Sequence, residues 1–263
     1  MARFTTLYSG SSGNCAFIEE NGRFLLVDMG KSCRSTLTAL KTLDVSPRDL
    51  LGILVTHEHS DHVGGLNVFL KKYPVPVYSS AATLDVLEER GIIPAGVSAI
   101  AVDGREEELD GFSIQSFSTS HDSVDCCGYR IVTPEGKVVS IATDLGFISD
   151  EVMANLYFAD LVALESNYDL NMLMTGHYPY YLKMRISSER GHLSNEECAR
   201  TILRLMQSGC KNFSLCHISQ ENNTPELALA TVQCMLATNG YIPDSQTRVQ
   251  AARRHEISPL FEF

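Results

Sequence analysis

The chain has no tryptophan and no Cys-x-x-Cys pair, although it carries 8 cysteines in 263 residues. The missing pair removes the usual signatures of zinc ribbons and thioredoxin-type redox sites. The cysteine content falls short of disulfide-scaffold density, so most thiols are expected to be reduced core residues. No apolar run approaches the roughly 20 residues that cross a bilayer, and Met1 to Thr6 shows no basic segment followed by an apolar one. The expectation is a cytoplasmic protein with no membrane partner. Positive charge is scarce too: 21 Lys and Arg face 32 Asp and Glu, a net charge of −11. Nonspecific affinity for polyanions rests on cations that neutralise phosphates. The balance argues against a protein that coats nucleic acid and leaves open a nuclease with a locally positive site.

With 44% hydrophobic and 20% charged residues, the chain can bury a core and is not disordered as a whole. Strand-like runs cover Phe4 to Tyr8, Ala16 to Ile18 and Phe24 to Val27, with Asn21-Gly22 read as a hairpin turn. A helix over Ser35 to Leu43 and a capped turn at Ser46 to Asp49 precede the apolar run Leu50 to Val55, which reads as a buried strand. Helices are expected at Gly65 to Lys72 and Thr83 to Arg90, and strands at Phe112 to Phe117, Tyr129 to Val132, Val138 to Ala142, Leu161 to Leu164 and Phe213 to Cys216. Ser194-Asn195-Glu196-Glu197 matches a capping box for a helix to about Ser208, and Thr224-Pro225 starts another through Leu236. The acidic cluster Asp103, Glu106, Glu107, Glu108 and Asp110 reads as a solvated loop. Strands and helices interleave with no linker between them, so residues 1–263 are expected to form one α/β domain.

Directly after the buried strand stands Thr56-His57-Glu58-His59-Ser60-Asp61-His62. Residues two apart in extended chain project to one side, so His57 and His59 can share one ion while Asp61 and His62 reach a second. Imidazole with carboxylate suits zinc, manganese or iron. A surface histidine cluster is the competing reading, and four candidate ligands behind one strand disfavour it.

At these residues the chain resembles the metallo-β-lactamase superfamily, along essentially its whole length. The resemblance implies an αββα four-layer sandwich with a two-metal site at one edge. It also implies the remaining positions: His121 as third histidine of the first ion, Asp144 as bridging carboxylate, His217 as last histidine, and Asp28 orienting the histidine loop. One ion would then take His57, His59 and His121, the other Asp61, His62 and His217. The antibiotic-hydrolysing members carry Cys where Asp144 stands, which disfavours β-lactam hydrolysis. An Asp-bridged pair of ions fits phosphodiester cleavage, with water activated between the ions attacking phosphorus in line; Asp61 is counted among the catalytic residues as well as the ligands.

Gly191-His192-Leu193-Ser194 and Leu215-Cys216-His217-Ile218-Ser219 resemble paired motifs of the transfer-RNA 3′-processing nucleases (tRNase Z), and Leu164-Glu165-Ser166-Asn167 resembles their Glu-bearing strand end. The implied roles are Glu165 orienting His192, and His192 protonating the leaving oxygen or contacting the phosphate. Ser9 to Cys15, Tyr178 to Ile186, Gly191 to Asn195 and His217 to Asn223 together resemble the YycJ/WalJ-like nuclease branch. That resemblance implies a 5′→3′ exonuclease on double-stranded DNA, linked to mismatch repair. RNA processing of the tRNase Z type, thioester or lactone hydrolysis of the glyoxalase II type, and a catalytically silent metal-binding module are the alternatives.

Substrate contact is read from residue chemistry. Tyr178, Tyr180 and Tyr181 offer faces for bases, and Lys183, Arg185 and Arg190 offer cations for phosphates; a packed surface loop competes with this reading. Arg248, Arg253 and Arg254 would extend a basic strip. The loop with Ser11 and Asn14 is expected to turn backbone N–H groups toward a phosphate, though a simple turn accounts for it equally well. Cys126-Cys127 is read as packing, and Cys216 is expected to face away from His217, into the core.

Overall fold

Asn21 and Gly22 both take positive φ, 55° and 79°, the left-handed pair that a two-residue turn between twisted strands requires. They join two strands of the first of two seven-stranded sheets in this computed structural model, which describes residues 1–241, 244 and 246–263. The first sheet contains β1 (Arg3–Tyr8), β2 (Cys15–Glu20), β3 (Arg23–Val27), β4 (Leu50–Leu54), β5 (Val77–Ser79) and β6 (Ala99–Ala101). The second contains β7 (Glu106–Leu109), β8 (Phe112–Ser118), β9 (Cys127–Val132), β10 (Val138–Ala142), β11 (Leu161–Glu165), β12 (Asn212–Cys216) and β13 (Arg248–Ala251). The chain then returns, and β14 (Phe261–Glu262) closes the first sheet beside β1.

Three apolar layers explain why the central strands are hydrophobic on both faces. Between the sheets lie Ile18, Leu25, Val27, Leu54, Ile114, Ile131, Ile141, Leu161, Ala163 and Cys216. The alternate residues face outward. Phe24, Leu26 and Ile53 meet Leu40 of α1 (Cys33–Thr42), Leu66, Phe69 and Leu70 of α3 (Leu66–Lys72), and Leu84 and Leu87 of α4 (Ala81–Glu89). Val162, Leu164, Phe213 and Leu215 meet α5 (Asp150–Leu156), α8 (Asn195–Gln207) and α9 (Pro225–Thr238). Helix, sheet, sheet and helix thus stack as the αββα sandwich. Three further short helices are α2 (Ser60–Val63), whose Val63 joins the first of these outer layers, α6 (Leu170–Thr175) and α7 (Tyr180–Ile186).

Helix starts follow their caps. Ser194 Oγ accepts from Glu197 N and Thr224 Oγ1 from Leu227 N, as the capping patterns require. The helices expected from Ser35 and Thr83 begin two residues earlier, at Cys33 and Ala81, because Ser32 and Ser80 supply the capping hydroxyls. The acidic stretch is not simply a loop. Asp110 and Gly111, at φ 52° and 85°, form a second left-handed turn that folds Glu106 to Leu109 back on β8 as an edge strand. Its carboxylates remain at the surface, and a charged edge discourages pairing with other chains. The segment before His192 includes the short helix α7.

β3 runs parallel to β4, and β10, β11 and β12 run parallel to one another. Their carboxyl ends therefore come out along one rim of the sandwich, where loops are free to carry polar residues.

Candidate metal centre

Strand ends deliver the polar residues to this rim. Asp28 follows β3, His57 lies three residues past β4, Asp144 two past β10, Glu165 ends β11 and His217 follows β12. Asp28, Asp144 and His217 take φ 63°, 56° and 51°, the left-handed region that costs a side-chain-bearing residue roughly 1 kcal/mol or more. Non-glycine strain at three strand ends drawn from both sheets marks the place where the fold is committed to something other than its own stability.

The histidine loop folds as its spacing requires. His59 has extended backbone and is the residue before α2, and Asp61 and His62 occupy the turn of that short helix. His57, His59 and His121 bring one ligand atom each within 4.8 Å of one another, as do Asp61, His62 and His217. His57, His62 and Asp144 form a third such set that joins the two, and Asp144, Glu165, His192 and His217 a fourth.

Two buried carboxylates each orient two imidazoles. Asp28 Oδ2 accepts from His62 Nδ1 at 2.8 Å, and Asp28 Oδ1 accepts from Thr56 N at 2.8 Å. The Thr56 hydroxyl donates to Asp28 at 3.0 Å and in turn accepts from His57 Nδ1 at 3.0 Å. On the other side Glu165 Oε1 accepts from His192 Nδ1 at 2.8 Å and from His217 Nδ1 at 2.9 Å, while Oε2 takes the N–H of Leu145 at 3.0 Å. His121 Nδ1 donates to the carbonyl of Gly191 at 3.0 Å. In His57, His62, His121 and His217 alike, Nδ1 is held from behind and Nε2 is left to point into the cluster, the tautomer a metal ligand needs.

The donor set fits divalent metal. His57 Nε2, His217 Nε2 and Asp144 Oδ2 are buried with no hydrogen-bond partner, a costly arrangement unless a cation meets them. The neighbouring carboxylates and rings set one another's charges. Burial, with crowding by the other imidazoles, keeps the His57 ring well below its ordinary pKa, hence neutral. Burial opposes charge on His62, but Asp28 and Asp144 lift it to about 9. Burial likewise opposes the charge on Glu165, yet the two imidazoles against it hold its carboxyl well below the usual range.

Around the cluster the chain makes close approaches. A Cβ on Gly30 would lie 1.7 Å from the Asp61 carbonyl oxygen, and one on Gly191 would lie 2.2 Å from that of Ile186. Asn14 ties the loop after β1 to the centre: its Oδ1 accepts from Gly10 N at 2.7 Å and its Nδ2 lies 3.0 Å from His62 Nε2. Ser11 is exposed beside it. On the opposite flank Arg185 pairs with Asp122, whose Oδ1 is 3.3 Å from His121 Nε2. Lys183 donates to the carbonyls of Met174 and Gly176, both at 2.7 Å, and so closes the end of α6. Tyr180 and Tyr181 are 75% and 74% exposed, whereas Tyr178 is half-buried against a small cavity with Glu221. Cys126, Cys127 and Cys216 are buried as packing residues.

Sequence reasoning missed Thr56, Asn167 and Ser9. Asn167 donates to the carbonyl of His217 at 2.8 Å, and Ser9 Oγ accepts from His217 N at 2.8 Å. Only Thr56, a polar residue ending an apolar run, carried a readable signal. A cavity of about 550 Å³ between Lys137, Asp160, Lys211 and Arg248 lies at the amino ends of the strands and shares no residue with the centre.

The sandwich and its rim of oriented imidazoles define the class: the chain belongs to the metallo-beta-lactamase superfamily, whose family model matches residues 8–217. Within it the similarity is to the YycJ/WalJ-like branch. The chain is 36% identical over 239 residues, 90% of each chain, to a protein named exodeoxyribonuclease YycJ in Bacillus anthracis. It is also 36% identical over 238 residues, 89% of this chain and 88% of the other, to exodeoxyribonuclease WalJ of Streptococcus pneumoniae serotype 2. The metallo-beta-lactamase fold protein YhfI of Bacillus subtilis shares the fold over 98% of both chains, with a TM-score of 0.71 at 15% identity.

Proposed function

We propose that residues 1–263 act as one hydrolase domain that holds two divalent ions and cuts phosphodiester bonds in nucleic acid, as a 5′→3′ exonuclease on double-stranded DNA. The observation that carries this is the pair His192 and Glu165 beside the ligand set. His192 Nδ1 is fixed by Glu165 and lies 3.6 Å from Asp144 Oδ1, yet the side chain remains 21% exposed. A buried imidazole with no other task would be packed away. One held from behind at the lip of a metal centre is placed to give a proton to a leaving oxygen or to bind a phosphate.

In this reading His57, His59 and His121 hold one ion, Asp61, His62 and His217 the other, and Asp144 lies between them. Zinc, manganese and iron all suit the donors. When bound, the ions supply Lewis acidity at a phosphoryl oxygen and an activated water. The chain's own groups do the rest. Asp28, through His62 and Thr56, and Glu165, through His217, fix the rings, while the exposed Tyr180 and Tyr181 with half-buried Tyr178 offer faces for bases. Arg185 can pass from Asp122 to a phosphate, and Lys183 ties α7 to the end of α6. Ser11 and Asn14 border the opposite flank. The names of the relatives in the branch favour DNA over RNA, and resemblance to the branch is the sole support for a link to mismatch repair.

End-labelled duplex DNA, single-stranded DNA, RNA and a thioester, each incubated with metal-replete protein, test the proposal. Stepwise loss of nucleotides from 5′ ends of the duplex is expected. Turnover of the thioester alone would overturn it in favour of a small-molecule hydrolase.

A further inference from the structure

We propose that the loop from Ser9 to Asn14, flanked by Lys31 and Arg254, binds the phosphate monoester at the end of a nucleic-acid strand. The proposal rests on the nuclease reading above and names the part of the substrate that this flank of the centre grips.

Gly10 and Gly13 take φ 139° and 144°, where any side chain is strained, and they bracket the exposed Ser11 and Ser12. The N–H of Gly10 is spent on Asn14 Oδ1, that of Gly13 on the Gly10 carbonyl at 2.9 Å, and that of Asn14 on the Asp61 carbonyl at 2.8 Å. The amides of Ser11 and Ser12 have no partner among the described residues. Two successive free amides beside two exposed hydroxyls are donors that an anion can use.

Each side of this loop carries a cation held in place. The Lys31 stem lies so close to Gly13 that a Cβ there would sit 2.8 Å from Lys31 Cγ, and Nζ is 3.0 Å from Ser12 Oγ. The Arg254 stem passes 3.6 Å from the corresponding position on Gly10, and its guanidinium donates to the Ile218 carbonyl at 2.9 Å and to Gln220 Oε1 at 3.3 Å. Neither cation is in salt-bridge contact with a carboxylate among the described residues, whereas Arg185 is paired with Asp122 and Arg253 with Glu256. In a chain of net charge −11, two cations without a carboxylate partner, fixed against the two glycines that bracket two free amides, call for an anionic ligand.

The chemistry selects a monoester. It carries close to two negative charges at neutral pH, where an internal diester carries one, so two cations discriminate in favour of the strand end. The loop is bonded into the centre at both of its own ends, through Ser9 to His217 and through Asn14 to His62. Ser11 stands three residues from Asn14, no more than about 10 Å of extended chain. A terminal phosphate seated here fixes how far from the end the scissile bond can lie.

The test is binding of duplexes of one sequence ending in 5′-phosphate, in 3′-phosphate, or in hydroxyls only. Fluorescence anisotropy is read on metal-loaded protein carrying His192→Ala to suppress turnover. One phosphorylated duplex is expected to bind about tenfold tighter than the hydroxyl duplex, the scale of a charge-assisted contact. Lys31→Met and Arg254→Gln, each added singly, should bring that ratio to about twofold or less, while Lys41→Met, an exposed cation in the last turn of α1, should keep it. Lys31 bonds only Ser12, so its replacement keeps the test valid if loss of the Arg254 bonds unsettles the fold. Equal binding of all three duplexes, or a ratio that survives both substitutions, overturns the pocket. Lack of cleavage by the unsubstituted protein with the binding preference intact would sink the nuclease reading and leave the pocket standing.

Discussion

His192 and Glu165 illustrate how much one hydrogen bond can decide. Glu165 is fully buried and serves two rings at once, His192 and His217, so the two residues separate in their expected effects. His192→Ala should slow cleavage by about 100-fold or more, the range of a lost general acid, with metal content by elemental analysis unchanged. Glu165→Gln removes the orienting charge from His217, a proposed ligand, as well, and should both slow cleavage and weaken metal binding by about 10- to 100-fold, as loss of a partner behind a ligating histidine does. Thr56→Val tests the other carboxylate's reach. It breaks the relay from Asp28 to His57 while leaving the direct bond to His62, so metal titration should show partial loss where Asp28→Asn shows more. Identical metal affinities for Thr56→Val and the unaltered protein would remove the relay from the mechanism.

Among the elements, α7 separates recognition from support. Tyr180 and Tyr181 are exposed, so Tyr180→Ala with Tyr181→Ala should leave thermal stability within about 0.5 kcal/mol while weakening DNA binding, since a stacked base is worth about 1 to 3 kcal/mol. Lys183→Gln should instead lower the melting temperature, because its ammonium closes α6. Arg185→Gln should flatten the salt dependence of binding; an unchanged slope would take Arg185 out of the phosphate contacts. The same contrast shows what the sequence made legible. The pattern of residues 57–62 and the short apolar runs of β3, β11 and β12 were readable because each is local. The strand over Glu106 to Leu109 was hidden by its own charge, although the Asp110-Gly111 turn announced it. β5, β6, β13 and β14 are two to four residues long, too short for a period to register. The bonds of Asn167 and Ser9 to His217 join residues 50 and 208 positions apart, and no local pattern encodes such a distance.

Across the whole molecule, the centre draws on both sheets: His57 to His62 leave the first, while Asp144, Glu165 and His217 leave the second. Metal held between them should bind the halves to each other as well as serve catalysis. Dialysis against a chelator is therefore expected to lower the melting temperature, with recovery on adding zinc or manganese in proportion to the occupancy gained. An unmoved transition would mean that the sandwich stands equally well with its orphaned ring nitrogens facing one another. The order of the parts along the chain matters to a cell in another way. During translation the histidine loop emerges early, whereas the last imidazole comes from the final quarter of the sequence. A nascent or prematurely released polypeptide ending before residue 217 lacks that ring, and the cage its earlier residues begin stays open on one side.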